Sequence, residues 1–337
     1  MTVKYNVAVL GATGAVGETL IEILEQRKFP INKLFPLASA KSAGDTVKFK
    51  NRNVEILDVE DFDFSQVQIG LFSAGAATSA KYAPIAAEAG CIVIDNTSEF
   101  RYDPEIPLVV PEVNAEIIDQ YRNRNIIANP NCSTIQLVVA LKPIYDAVGI
   151  SRINIATYQS VSGAGRAGIS ELADQTANLL NGNARDAKVF ARQIAFNVIP
   201  QIDTFQENGY TREEMKIVWE TQKIFNDDTI YINPTAVRVP VFYGHSEAVH
   251  IETRKKISAD EAKELLRNAP GVIVLGQDEE YPTPVSEGSK HDAVYIGRIR
   301  EDISHPNGLN MWVVADNVRK GAALNAVQIA ELLIRDL

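Results

Sequence analysis

The stretch Tyr5–Gln26, YNVAVLGATGAVGETLIEILEQ, decides the fold class. Residues 5–10 form a β-rich run that stops at Gly11. From Ala15 onward, Val16, Leu20, Ile23 and Leu24 fall at helical spacing, which predicts a helix over 15–27. Between the two lies a loop carrying Gly11, Gly14 and Gly17. Glycines at the mouth of a helix permit a tight turn and let the backbone approach a pyrophosphate, whose charge meets the helix N-terminus. The spacing is G-x-x-G-x-x-G, not G-x-G-x-x-G, so the strand–loop–helix context carries the meaning of the triplet.

The same alternation continues outward. Strands are expected at Lys33–Ala38, Gln68–Ser73, Cys91–Asp95 and Asn125–Ala128, with an Ala-rich helix over about 77–89. Such alternation argues for an α/β domain with a Rossmann-type parallel sheet covered on both faces. The dinucleotide should then meet Gly11, Thr13, Gly14, Ala15 and Val16. At the end of the second strand, LASAKSAG (37–44) offers Ser39, Lys41 and Ser42, with no acid before Asp45. An NAD site places an acidic residue there for the ribose 2′-hydroxyl, whereas hydroxyls and a cation suit a 2′-phosphate, so NADP(H) is the expected cofactor.

Beyond residue 132 the texture changes. Residues 153–161 and 230–256 alternate as longer antiparallel strands would, and helices are expected at about 168–181, 211–225 and 258–268. The last two open with capping boxes, Thr211-x-x-Glu214 and Ser258-x-x-Glu261. An apolar helix over about 322–333 closes the chain and is expected to dock on the first domain. The division expected is 1–131 plus about 318–337 for the NADP-binding domain, and 132–317 for an α+β catalytic and dimerisation domain.

The 337 residues carry a formal charge of −10, which argues against a nucleic-acid footprint. No apolar run approaches bilayer-spanning length, and the first residues run straight into a strand without a secretory leader pattern. Two cysteines do not make a disulfide framework, so a reducing cytoplasm is the expected setting. Nothing in the sequence calls for a metal.

One of those cysteines sits in ANPNCSTIQ (128–136). Cys91, inside AGCIVID, suits a buried packing role. Cys132 differs: it follows the rigid Asn129-Pro130-Asn131, and Ser133 and Thr134 are expected to cap a helix running to about 147. A helix N-terminus favours a thiolate, and its N–H groups with the Asn131 side chain suit an oxyanion. A reactive thiol beside a dinucleotide domain suggests aldehyde chemistry through a thiohemiacetal and a thioester.

GATGAVG, PNCST, the SGAG of YQSVSGAG, REEMK, RVPVFYGHSE and DNVRKGAALNAVQIAE occur in the order found in aspartate-semialdehyde dehydrogenases. The sequence resembles that family over essentially its whole length. Sister acyl-phosphate reductases, the glyceraldehyde-3-phosphate dehydrogenases and N-acetyl-glutamyl-phosphate reductases, carry SCTTN-like and GCYPT-like cysteine motifs instead. The resemblance implies NADPH-dependent reduction of aspartyl 4-phosphate to aspartate semialdehyde, a step toward lysine, threonine and methionine, by a homodimer or homotetramer.

It also implies roles for named residues. Cys132 is the acylated nucleophile, with Asn131 beside it; Gln159 orients the substrate and His245 is the acid/base. Arg238 grips the α-carboxylate with a planar fork suited to it. Glu213 takes the ammonium, and Lys216 and Arg101 the phosphate. Ser162, Gly163 and Asn317 reach the nicotinamide half of the cofactor. Arg238 lies seven residues before His245, which on an unbroken strand means opposite faces; Pro240 and Gly244 permit a bend. A redox-sensing regulator on the same fold would not need Cys132, Gln159 and His245 together.

Overall fold

The structure, a computed structural model, describes residues 3–183, 186–276 and 280–336, so residues 1–2 and 337 of the expected first domain lie outside it. The chain forms two compact units, Met1–Asn131 with Ala322–Leu337, and Cys132–Gly321. No helix among the described residues is long and apolar enough to cross a membrane.

In the first unit β1 (Tyr5–Leu10) passes through the glycine loop into α1 (Ala15–Gln26). Then come β2 (Ile31–Ala38), β3 (Thr46–Phe49), β4 (Arg52–Glu55), β5 (Leu57–Asp58), β6 (Ile69–Phe72), α2 (Ala76–Glu88), β7 (Ile92–Asp95), α3 (Pro111–Asn114) and β8 (Ile126–Ala128). Six strands form one sheet in the order β5-β2-β1-β6-β7-β8, with every pairing parallel. β1, β6 and β7 are apolar on both faces, as a sheet covered on both sides requires. The C-terminal helix Leu324–Asp336 joins this core through Leu324, Val327 and Ala330. A paired Arg27–Glu331 contact, both N···O distances 2.7 Å, ties it to the end of α1.

The second unit opens with α4 (Cys132–Val148) and β9 (Ile150–Gln159), followed by α5 (Gly165–Leu180), α6 (Arg212–Phe225), β10 (Tyr231–Arg238) and β11 (His245–Thr253). After α7 (Ala259–Arg267) come β12 (Val272–Val274), β13 (Val294–Glu301) and β14 (Gly308–Ala315); the chain ends with α8 (Leu324–Asp336). The sheet order is β10-β9-β11-β14-β13-β12. The expectation of antiparallel strands needs correcting here: β10 with β9 and β12 with β13 are parallel pairs. Between β9 and β10 the chain runs through α5 and α6, a crossover that returns it to the starting end of the sheet, so the two strands must point the same way.

Residues 230–256 are likewise not one ladder. β10 flanks β9 on one side and β11 on the other. The break holds Gly244 at φ +86, where a Cβ would come within 2.5 Å of the Gly288 carbonyl oxygen. α4 lies against one sheet face, reaching β9, β11, β13 and β14. On the other face Tyr158 is 37% exposed and Tyr231 71%.

The chain returns to the first unit at Ala322, not at about 318. Asp316 holds the intervening turn, its Oδ1 accepting the Val318 and Arg319 amides at 2.8 and 2.9 Å and its carbonyl accepting Gly321 N–H at 3.0 Å. Both expected capping boxes form. The one on α6 is buried, and Glu214 additionally accepts Ala236 N–H at 2.9 Å. We expect Glu214→Ala to lower unfolding stability by about 1–3 kcal/mol in urea titration, since a buried backbone donor on β10 is orphaned together with the cap. Glu261→Ala, at the exposed box, should cost less.

Candidate active site

The glycine loop of the first unit is built for close approach. Gly11 sits at φ +89 and an added Cβ would lie 3.0 Å from the Ala74 nitrogen; at Gly17 it would lie 2.1 Å from the Gly11 carbonyl oxygen. Gly14 caps α1 without a side chain, so the first-turn amides at Ala15 and Val16 meet no capping oxygen of Gly14. In front of the loop is a cavity of about 730 Å³ lined by Gly11, Thr13, Gly14, Ser39 and Ser42. Ala15, Val16 and Lys41 are not part of its lining. Asp58 and Glu60 are, brought in by the pairing of Ala38 with Asp58 on β5, a two-residue strand that sequence periodicity does not show. Glu60 is held by Lys81 at 2.8 Å and by the Tyr82 hydroxyl. The cradle, the uncapped helix and the polar rim fit a dinucleotide.

The loop before Cys132 belongs to the same unit and is fixed by amides. Asn129 is fully buried; its Nδ2 donates to Asn96 Oδ1 at 3.1 Å and its Oδ1 accepts from Asn325 Nδ2 at 2.7 Å. Arg101, 6% exposed, donates to the Asn96 carbonyl at 2.9 Å. Asn131 is buried and is the last residue before the break between the units.

In the second unit Cys132 is itself the first residue of α4, so Ser133 lies inside the first turn and is not its cap. The Ser133 hydroxyl accepts Gln159 Nε2 at 2.8 Å. Cys132 is half-buried, whereas burial pushes the Cys91 thiol up to about 12, which leaves it inert. Gly321 is required beside the thiol: a Cβ there would come within 2.8 Å of Cys132 Cβ.

Strand topology collects the other side chains. Arg238 ends β10 directly beside Gln159, the end of β9, and His245 starts β11 on the other flank of that strand. The seven-residue separation therefore runs around the end of β9, and both side chains point at one place: a Cβ on Gly163 would lie 2.8 Å from Arg238 Nη1 and 3.4 Å from His245 Nε2. Arg238 Nη1 donates to the Ser160 carbonyl at 2.7 Å. Burial lowers its guanidinium from the ordinary value, while Glu213 and Cys132 act to keep it charged.

Gln159 Nε2 also donates to Thr157 Oγ1 and Glu213 Oε1, each at 3.2 Å. The neighbouring glutamates separate cleanly. Glu214 is consumed by the cap, whereas Glu213 faces Gln159 and accepts Lys216 Nζ at 3.1 Å. Lys216 also donates to Asp203 at 2.9 Å. Burial opposes its charge, but the two carboxylates outweigh that and raise its pKa.

His245 is fully buried, and its Nδ1 accepts Ser160 N–H at 3.1 Å. A backbone amide can only donate, so the neutral ring carries its proton on Nε2, which has no partner. Asn317 Oδ1 accepts Gly244 N–H at 3.0 Å and the Ser162 hydroxyl at 3.1 Å, joining the loops on both sides of the histidine. Ser160 and Gly321 were not singled out in the sequence; only the three-dimensional contacts reveal them. Among the described residues no group of three or more His, Cys, Asp or Glu side chains is arranged to hold a metal ion.

Residues 6–121 match the family profile described as semialdehyde dehydrogenase, NAD binding domain, and residues 141–320 match semialdehyde dehydrogenase, dimerisation domain. The aspartate-semialdehyde dehydrogenase of Shewanella violacea is 67% identical over 336 residues, covering 100% of this chain and 99% of that protein. The chain belongs to the aspartate-semialdehyde dehydrogenase family. A crystal structure of aspartate semialdehyde dehydrogenase II from Vibrio cholerae, complexed with ASA, superposes with a TM-score of 0.98 at 64% identity over 99% of both chains. The enzyme of Candida albicans with NADP gives a TM-score of 0.77 at 25% identity over 98% of each chain.

As an aspartate-semialdehyde dehydrogenase of this family, the chain has a Rossmann-type domain for a nicotinamide cofactor and a domain for oligomerisation. Burial, with the Arg238 charge next to it, holds His245 at about 3. The unfolded chain titrates near 6.5, so the linked stability is complete above that value and is lost as pH falls toward 3. Nitrogen-15 NMR of the imidazoles should show His245 neutral and Nε2-protonated from pH 5 to 8. A titration near 6.5 would contradict the buried Nδ1–Ser160 contact.

Proposed function

We propose that the chain catalyses the NADPH-dependent reductive dephosphorylation of L-aspartyl 4-phosphate to L-aspartate 4-semialdehyde through a thioester on Cys132. The observation that carries this reading is the convergence of Gln159, Arg238 and His245 at one end of β9, with Ser133 tying Gln159 to the first turn of α4. The step would serve diaminopimelate and lysine, threonine and methionine biosynthesis, in the cytoplasm.

Recognition follows from charge. Arg238 presents a fork to the α-carboxylate, and Glu213 accepts the ammonium. Lys216, kept protonated by its two carboxylates, and Arg101 meet the phosphate. The Cys132 sulfur, as thiolate, attacks the C4 carbonyl. An S–C bond forms, the C–O bond to phosphate breaks, and inorganic phosphate leaves with the electron pair. The amides of the α4 first turn and the Asn131 side chain stabilise the oxyanion.

NADPH, when bound, supplies the hydride that takes the thioester to the aldehyde level. Ser39, Ser42 and Lys41 would hold its 2′-phosphate, Gly11, Thr13, Gly14, Ala15 and Val16 its pyrophosphate, and Ser162, Gly163 and Asn317 its nicotinamide half. Of the three 2′-phosphate residues, the hydroxyls of Ser39 and Ser42 line the cavity beside the loop and support this assignment, while Lys41 stands outside the lining and Asp58 and Glu60 within it. His245 acts from Nε2–H, donating to the oxygen of the reacting carbonyl; as the aldehyde is released, sulfur leaves as the thiolate it began as. The working form is a homodimer or homotetramer, for which the sheet face bearing the exposed Tyr158 and Tyr231 offers a surface.

The test is phosphate-dependent reduction of NADP+ with aspartate semialdehyde, against N-acetylglutamate semialdehyde as the rival substrate. Activity with the second and not the first would make the chain a sister reductase. Cys132→Ala should abolish turnover, and His245→Asn should lower kcat on the order of 10²–10⁴-fold with a smaller change in KM. Wild-type turnover in Cys132→Ala would end the thioester reading.

A further inference from the structure

Glu247 is a titratable group for which the mechanism above has no use. It lies two residues after His245 on β11, on the same inward face, and is fully buried. Neither of its carboxyl oxygens makes a hydrogen bond of good geometry, although the Gln136 amide stands near enough to act on the carboxyl. A buried carboxyl without partners is costly, and such a group calls for a physical account.

The complement sits directly across. Gln136 is 1% exposed, four residues after Cys132 on α4 and therefore on the same helix face. Its amide lies beside Glu247, and its Oε1 and Nε2 also lack partners. A protonated carboxyl offers one donor and one acceptor, and a primary amide meets it with its carbonyl and one of its two N–H groups, so a side-chain rotation can pair all four atoms at once. An ionised carboxylate accepts only; it would orphan Gln136 Oε1 and bury an unpaired charge.

The titratable neighbours on this face are His245 along β11 and Cys132 one turn up α4. The positions facing Glu247 from β9 and β14 are Thr157 and Val313, neither a cation. Burial accordingly pushes the carboxyl well above the usual range. Thr157 in turn accepts Gln159 Nε2, so the same row reaches the amide that orients the substrate.

We propose that Glu247 and Gln136 form a neutral acid–amide clasp that fixes the first turn of α4 to the sheet, making Glu247 a positioning residue for Cys132 and Gln159. The catalytic part of this rests on Cys132 being the nucleophile.

The test uses E247L, Q136L, the double variant E247L/Q136L and E247Q in the full chain. Each is read by denaturant midpoint, by kcat and KM, and by iodoacetamide alkylation, which reports Cys132 because Cys91 is buried. Either single leucine should slow alkylation and lower kcat tenfold or more with KM for NADP+ unchanged. The double variant should be no worse than the single ones, because both partners are then removed together. E247Q, an amide pairing with an amide, should restore kcat and alkylation. At neutral pH the infrared band of a protonated carboxyl should be present in the wild type and absent in E247Q. Wild-type alkylation and kcat in E247L, additive losses in the double variant, or a carboxylate band in place of the acid would overturn the proposal. If Cys132→Ala turned over normally, only the catalytic assignment would fall; the midpoints and the infrared band would still decide whether the clasp exists.

Discussion

Gln159 Nε2 is the point on which the second unit's chemistry turns. One amide nitrogen is shared among the Ser133 hydroxyl, the Thr157 hydroxyl and the Glu213 carboxylate, at 2.8, 3.2 and 3.2 Å. Those three partners come from α4, β9 and α6, so the contact holds a helix start, a strand end and a second helix in one register. It can do so because Gln159 is the last residue of β9. Strands on both flanks of β9 then bring Arg238 and His245 to the same end, one as a parallel neighbour finishing there and the other as an antiparallel neighbour starting there.

Burial sets the charge states around that point. His245 stays neutral because it is desolvated next to a guanidinium, and its tautomer follows from one backbone amide. Lys216 remains a cation against desolvation because two carboxylates face it. Glu247, with no cation facing it from either neighbouring strand, has its carboxyl pushed well above the usual range by burial. The same desolvation thus gives three outcomes, and the nearest charge decides among them.

Local signals and topology contributed unequally to what the sequence made legible. The glycine loop and both capping boxes are short-range features and stand where expected, whereas α5 begins at Gly165, three residues before its expected start, and α4 begins at Cys132, ahead of its expected caps. The fold class follows from them, while the family resemblance rests on the six motifs in order. Short or edge strands did not show. β5 has two residues, β3 and β4 form a polar hairpin, and β12 is a three-residue edge strand. The parallel pairing of β9 with β10 is a consequence of the crossover through α5 and α6, which no local pattern encodes. Ser160 and Gly321 lie inside the quoted stretches YQSVSGAG and DNVRKGAALNAVQIAE, but they act through contacts with residues distant in sequence, which the stretches do not display.

The choice between Glu213 and Glu214 shows how such long-range facts settle a local ambiguity. Both are buried and adjacent in REEMK, and sequence register alone separates them. A capping box fixes Glu214 toward the start of α6, where the β10 amide of Ala236 takes its second oxygen. Once that carboxylate is spent on backbone donors, helical geometry turns Glu213 by about 100° around the axis, toward Gln159. Lys216, three residues on, follows Glu213 to the same face and is met there by Asp203. The resulting cluster brings Glu213 and Asp203 to the Lys216 ammonium. Such a cluster suits a substrate ammonium better than a phosphate.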